Sequence, residues 1–377
     1  MKNLTLLFCI FLCVLCCTCS PRQRTNGLQT DGDTLTLKYT QYLNIIKYDQ
    51  YTLAILRNPW DTTKVLHTYI LIPKDSPQPS SLPQGTVVRI PLERSLVYSS
   101  VHCSLLDELQ AASRIKGVCD LSYINLPFIQ EGYRNGQIMD AGNSMSPDIE
   151  KIIDMHPDAI LLSPYENSNG YGRIEKLNIP IIECADYMET SPLGRAEWMR
   201  FFGLLYGCET QADSLFAKVE KDYSDIKQKA SLMSRHPSVF SELKIGGTWY
   251  VAGGNSTTSK FFADAGARYI FESLPQSGSV ALSSETVFDK AQHADFWFIK
   301  YNQEADKTYT SLQKEDALYA QFHAFKAQHI YGCNTRYIPF YEESPFHPEY
   351  LLKDFVSIFH PQLLPDYKPR YFHPLSK

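Results

Sequence analysis

Basic charge is in short supply. The 377 residues carry 36 Lys and Arg against 41 Asp and Glu, a net charge of -5, and no run gathers the cations into a stripe. Such a surface lacks the phosphate attraction that nucleic-acid binding needs. Zinc spacing is missing too: beyond the first 19 residues there is no C-x-x-C pair and no Cys/His cluster, which argues against a structural zinc site. A receptor for bare zinc or manganese would want converging histidines and carboxylates, yet His67, His102, His156, His236, His293 and His347 show no pairing at ligand spacing. The glycine pairs Gly246-Gly247 and Gly253-Gly254 lack the Lys-Ser/Thr of a phosphate loop, and no G-x-S-x-G elbow occurs. Glu342-Glu343 is an adjacent acid pair that a hydrolase could use, so an exported hydrolase is the alternative of a different class.

Cysteine is concentrated at one end. Five of the ten lie within the first 19 residues, and Cys103, Cys119, Cys184, Cys208 and Cys333 are scattered. These five read mostly as small buried hydrophobes, with one or two disulfides left open. The N-terminus itself is a targeting segment: Lys2, then an apolar run from Leu4 to Leu15, then Cys16, Cys17 and Cys19 before an abrupt polar turn. It resembles a bacterial lipoprotein signal, which implies export, cleavage and a lipid on Cys19. Thr18 departs from the usual small residue, so Cys17 is the alternative, and an ordinary cleaved secretory signal is the plainer one.

What is plentiful is apolar and aromatic: 44% hydrophobic residues, 24 Tyr and 20 Phe. That is enough for about two cores, and the tyrosine excess suits either core packing or an aromatic cleft. Residues 1–18 form the signal and 19–34 a polar tether. Residues 35–94 alternate short β-rich runs with turn signals and read as antiparallel hairpins. From Ser95 strands alternate with helices, the pattern of parallel α/β structure, giving a first lobe over 95–208 and a second over 237–377. Between them, over 209–236, Ala212, Leu215, Phe216, Val219, Tyr223 and Ile226 mark one face of a single long helix.

Two segments repeat one pattern: Ser146 to Leu162 and Ser283 to Ile299. Each opens with a helix entry, places a glutamate (Glu150, Glu285) before an apolar pair, and leads through an aspartate into a buried strand. With Ile149, Ile152 and Ile153 against the sheet, Glu150 faces outward; Glu285 holds the same register against Val287 and Phe288. The helix dipole alone would also favour a carboxylate there.

The first repeat resembles the glutamate-to-Pro-Asp segment of periplasmic substrate-binding proteins for iron complexes and vitamin B12. Tyr98-Ser-Ser-Val-His-Cys-Ser-Leu-Leu looks like their first strand–turn–helix, and Leu177-Asn-Ile-Pro-Ile-Ile, Phe261 to Phe271 and Asp354 to Pro361 are similar to later motifs. The likeness spans 95–377 and leaves 35–91 outside it. It implies a class III periplasmic binding protein: two Rossmann-like α/β lobes on a rigid helix, no enzymatic activity and no cofactor. It also implies an envelope location facing the periplasm and delivery of an iron–siderophore, haem or corrinoid ligand to an ABC permease with its ATPase. Glu150 and Glu285 would then dock permease arginines.

In such sheets ligands lie beyond the carboxyl ends of the strands. The loops there supply Ser99, Ser100, Tyr123, Tyr165 and Asn167 from the first lobe, and Trp249, Tyr250, Tyr301, Arg336, Tyr341 and Glu342 from the second. Rings with polar tips suit a bulky chelate, and the scarcity of Lys and Arg leans toward a weakly charged one. The expectation is an iron-complex receptor, with cobalamin as runner-up.

Overall fold

A computed structural model describes residues 32–166 and 170–377; Cys17, Cys19 and Asn167 lie outside the described residues. The extension is a five-stranded sheet in the order β1 (Asp33–Leu35), β2 (Leu43–Lys47), β3 (Thr52–Arg57), β4 (Val65–Pro73), β5 (Thr86–Ile90). β1 to β4 are antiparallel neighbours, as the turn signals predict. β5 instead runs parallel to β4, because residues 74–85 carry the chain back to the start of the sheet.

The first lobe begins with β6 (Ser95–Val97), α1 (Ser100–Glu108), β7 (Ile115–Val118), α2 (Pro127–Arg134) and β8 (Met139–Asp140). A small hairpin, β9 (Gly142–Asn143) and β10 (Ser146–Pro147), leads to α3 (Ile149–Met155), β11 (Ala159–Leu162) and β12 (Ile181–Glu183). Its parallel sheet has the order β12-β11-β6-β7-β8, so strand order reverses between β6 and β11. α4 (Pro192–Glu197) and α5 (Met199–Tyr206) pack behind it, and α6 (Glu209–Ser231) is the connector. At 23 residues α6 spans about 35 Å. Its buried stripe is Ala212, Phe216, Val219, Tyr223, Ile226 and Ala230, the face that the 3.6-residue period marks.

The second lobe runs β13 (Ser238–Ser241), β14 (Lys244–Ile245), β15 (Thr248–Ala252), α7 (Thr257–Asp264), β16 (Arg268–Tyr269), β17 (Ser279–Leu282), α8 (Ser284–Ala291) and β18 (Phe296–Tyr301). It ends with α9 (Tyr309–Glu315), α10 (His323–Lys326), β19 (Ile330–Asn334), α11 (Phe340–Glu343), α12 (Pro348–Phe359) and β20 (His373–Pro374). Its main sheet has the order β16-β13-β18-β19-β20, and β14-β15-β17 form a separate antiparallel sheet. The two lobes therefore differ in strand order. Even so, the repeated segment holds one place in both: α3 precedes β11, which pairs with the lobe's first strand β6, and α8 precedes β18, which pairs with β13.

The extension is stitched to this body by a strap. Backbone N–H groups of Lys38, Tyr39 and Thr40 donate to the carboxylate of Glu197 at 2.7–3.0 Å, and those of Gln41 and Tyr42 to Glu189 at 3.0–3.1 Å. Both carboxylates are buried, so the strap supplies the hydrogen bonds that make their burial tolerable. Trp198 Nε1 adds a bond to Glu189 at 2.9 Å, and the Glu189 carbonyl accepts from Thr257 of the second lobe at 3.1 Å. Lys38 and Tyr39 also reach Glu220 on α6 at 2.7 and 2.6 Å. Extension, connector and both lobes thus meet at one joint. The five cysteines of the described residues are free and buried.

Candidate binding cavity

Where strand order reverses in the first lobe, the ends of β6 and β11 splay apart and leave room beyond the sheet. A cavity of about 700 Å³ occupies that place. Tyr98, Ser99 and Ser100 line it after β6, Cys119 and Asp120 after β7, and Ser163 and Tyr165 after β11. Tyr123, Met145 and Ile149 add to the wall, and Tyr171 and Arg173 close it. Four of the predicted residues, Ser99, Ser100, Tyr123 and Tyr165, are therefore brought together. Tyr123 is the most open, 82% exposed.

Local chemistry fixes the walls. Asp120, in a left-handed conformation at φ 52°, accepts from Asn143 Nδ2 at 3.1 Å and from the Ser144 amide at 3.3 Å, pinning the β9–β10 hairpin that presents Met145. Asp148 caps α3 by accepting from the amides of Glu150 and Lys151 at 3.1 and 3.2 Å, which sets Ile149 into the wall. Burial pushes the Tyr98 hydroxyl well above its usual pKa and the Cys119 thiol up to about 12. Burial, then the hydrogen bond to Glu183, raises Tyr171 as well. These groups stay neutral near pH 7, so the wall's formal charges are those of Arg173 and Asp120. No thiolate is present to take a soft metal, and among the described residues no three His, Cys, Asp or Glu side chains gather to hold a metal ion.

The second lobe contributes less than the sequence suggests. Ser100 Oγ donates to Glu342 Oε1 at 3.3 Å, and Asn125 Nδ2 to the Arg336 carbonyl at 3.2 Å, so α11 meets the cavity's edge. Trp249 is corrected outright: it is 0% exposed among Phe240, Trp297, Tyr319 and Phe322, with ring centroids 5.8–6.2 Å away. It is core, because β15 alternates and turns Trp249 inward while Tyr250 faces solvent. Tyr250, Tyr301, Arg336 and Tyr341 do not line the cavity. Tyr301 lies 3.4 Å from Asp306, and the Arg336 guanidinium 3.8 Å from Glu304. The second lobe's own reversal point, between β13 and β18, is closed by an ion pair of Glu242 with Lys300.

Glu150 and Glu285 are both exposed in the first turns of α3 and α8. Ile153 departs from expectation at 49% exposed; Ile152 and Met155 make the buried face instead. Three histidines also prove to be paired, His67 with Glu183 at 3.2 Å among them. His102 Nε2 is 2.8 Å from Asp186, which Arg195 also binds at 3.0 Å, and His347 bridges Glu108 of the first lobe at 2.6 Å and Glu349 of the second at 2.9 Å. Tyr171 and Arg173 were missed by sequence reasoning, although the flanking Gly170 and Gly172 mark their loop. Glu343 is bound at both oxygens by Arg370, 2.7 and 2.8 Å, and so is no free catalytic acid.

Residues 120–337, more than half of the chain, match the model of a family described as periplasmic binding protein. The chain is 27% identical over 366 residues to the uncharacterized lipoprotein MJ0878 of Methanocaldococcus jannaschii, covering 90% of this chain and 85% of that one. Coverage of that extent takes in most of the extension. A periplasmic heme binding protein from Pseudomonas aeruginosa superposes with a TM-score of 0.58 at 16% identity, covering 76% of this chain and 99% of its own. The molybdate-binding protein MolA of Haemophilus influenzae, solved with molybdate, gives 0.58 at 14% identity, covering 74% and 90%. The matching family is one of solute-binding proteins rather than enzymes, which sets the hydrolase alternative aside. The chain belongs to the periplasmic binding protein family, the substrate-binding components of ABC transporters.

Proposed function

We propose that this protein is the lipid-anchored receptor of an ABC importer for an iron complex, haem or a ferric siderophore, held in the first-lobe cavity with α11 at its edge. The observation that carries the reading is the wall: about 700 Å³ lined by four tyrosines, several serines and one arginine. That volume suits a bulky ligand, and neutral rings with polar tips suit a conjugated face. Tyr123, Tyr165 and Met145 are side chains of the wall able to ligate a haem iron. A small, highly charged oxyanion would meet a single guanidinium in a space far too large for it. Cobalamin is the second reading, favoured by the same shortage of cations. A lipid on Cys19 is supported by a relative named as a lipoprotein, and docking of permease arginines by the matched, exposed Glu150 and Glu285.

The test is to mix the purified protein with haem, ferric siderophores, cobalamin and molybdate, following absorbance and native mass. One haem or one ferric siderophore retained per chain is the expected result. Retention of cobalamin or molybdate alone refutes the iron assignment.

A further inference from the structure

Tyr171 is a partition. One side faces the first-lobe cavity; the other faces a second cavity, about 470 Å³, at the seam with the extension, lined by His67, Thr86, Tyr171 and Glu183 among others. The Tyr171 ring packs against the cluster of Leu96, Ile160 and Ile174, and its hydroxyl end is placed by a hydrogen bond. Its backbone turns sharply here, with Gly170 and Gly172 at φ +93° and +64° and the Tyr171 amide donating to the Glu175 carboxylate.

What holds the ring is a carboxylate facing the extension. Glu183 closes β12 at 8% exposure, and its Oε1 accepts from the Tyr171 hydroxyl at 2.6 Å. Its amide donates to the Tyr69 hydroxyl at 2.8 Å. Its Oε2 is buried without a hydrogen-bond partner and lies 3.2 Å from Nδ1 of His67. His67 is itself fixed on β4: its ring stacks on Tyr69 at 4.4 Å and 16°, and its Nε2 lies 2.8 Å from Thr86 Oγ1 on β5. The seam cavity also holds Glu175 but no Lys or Arg. His67 is therefore the group in this cluster able to bring positive charge to Glu183.

We propose that the extension is a working part of the cargo site, with His67 acting through Glu183 as a positioning residue for Tyr171. This rests on reading the first-lobe cavity as the cargo site. The strands that carry His67 and Thr86 lie outside the segment matching the family, so the device belongs to chains that carry this extension. Without the imidazole, the orphaned oxygen of Glu183 turns elsewhere and the ring loses its anchor.

The test begins without cargo. Hydrogen–deuterium exchange of the full protein is compared for wild type and His67→Ala over residues 171–177, with α1 as reference. Exchange faster by about tenfold in 171–177 alone is expected, the loss of roughly one hydrogen bond to a charged group. No change there overturns the proposal, whether or not any chelate binds. Should both segments quicken, Thr86→Val, which frees only the His67 ring, is judged by the same criterion. With haem as probe, His67→Ala and Tyr171→Phe should each lower affinity, and the double variant no further; additive losses overturn the coupling. Failure of haem to bind strikes at the cargo assignment alone, because the exchange result is read on the empty protein.

Discussion

Trp249 offers the sharpest separation between packing and binding. It is fully buried in a cluster of four other rings, and its Nε1 donates to the Ser241 carbonyl at 3.4 Å. Trp249→Ala removes the indole where neighbours on both β13 and β18 are fixed by their own sheet, so the site collapses only in part. Such substitutions cost about 3–5 kcal/mol. For a lobe of this size that lowers the melting midpoint by about 10 °C. Tyr250→Ala, one residue along and on the solvent face, should stay within about 0.5 kcal/mol. Circular dichroism melts, read for the less stable transition because two lobes need not unfold together, give the first number. A haem titration of the folded Trp249→Ala protein is expected to give the wild-type affinity. A Trp249→Ala protein that melts like wild type but has lost its ligand would refute the assignment to core.

His347 links stability to pH. Burial lowers its pKa, but hydrogen bonds to Glu108 and Glu349, with their charges, more than offset that and lift it to about 9. The folded value lies above the unfolded one of about 6.5, so this stabilisation is complete below about pH 6.5 and fades as pH rises through 9. Melting temperature should fall between pH 7 and 9.5, and His347→Gln should flatten that slope; equal slopes would discount the bridge. Glu189→Ala orphans several buried donors of the strap and Trp198, and should cost about 3–5 kcal/mol in urea unfolding. A cost below about 1 kcal/mol would mean that the strap is held elsewhere. Replacing both Glu150 and Glu285 with Ala should spare binding in solution while abolishing uptake in cells; weakened binding would move them into the cargo site.

Much of the architecture was legible because periodicity is local. The α6 stripe and the two helix–strand repeats need nothing beyond side-chain spacing, and the loops after β6, β7 and β11 gave four wall residues. Trp249 misled because Gly246-Gly247 looks like the end of a strand-to-helix loop. It is the turn of a hairpin, with both glycines at positive φ, and the period of two then forces neighbouring rings to opposite faces. The three isoleucines of α3 share one face at 3.6 residues per turn, but the helix is rolled so that the row Ile149, Ile152 and Met155 turns to the core and Ile153 is left at its edge. Pairings across long separations left no local trace: His102 meets Asp186 84 residues on, and His347 meets Glu108 239 residues back. Arg173 and Tyr171 belong to the wall only because the chain folds back over it.

The strap at residues 38–42 decides how the molecule would be leashed. A pull arriving through the residues ahead of Gly32 would load β1 and then a row of parallel amide bonds into Glu189 and Glu197, which share the force in shear rather than opening one by one. If the proposed N-terminal lipid anchors the chain, that load would arrive beside α6, where Lys38 and Tyr39 bind Glu220, rather than at the loops of either lobe.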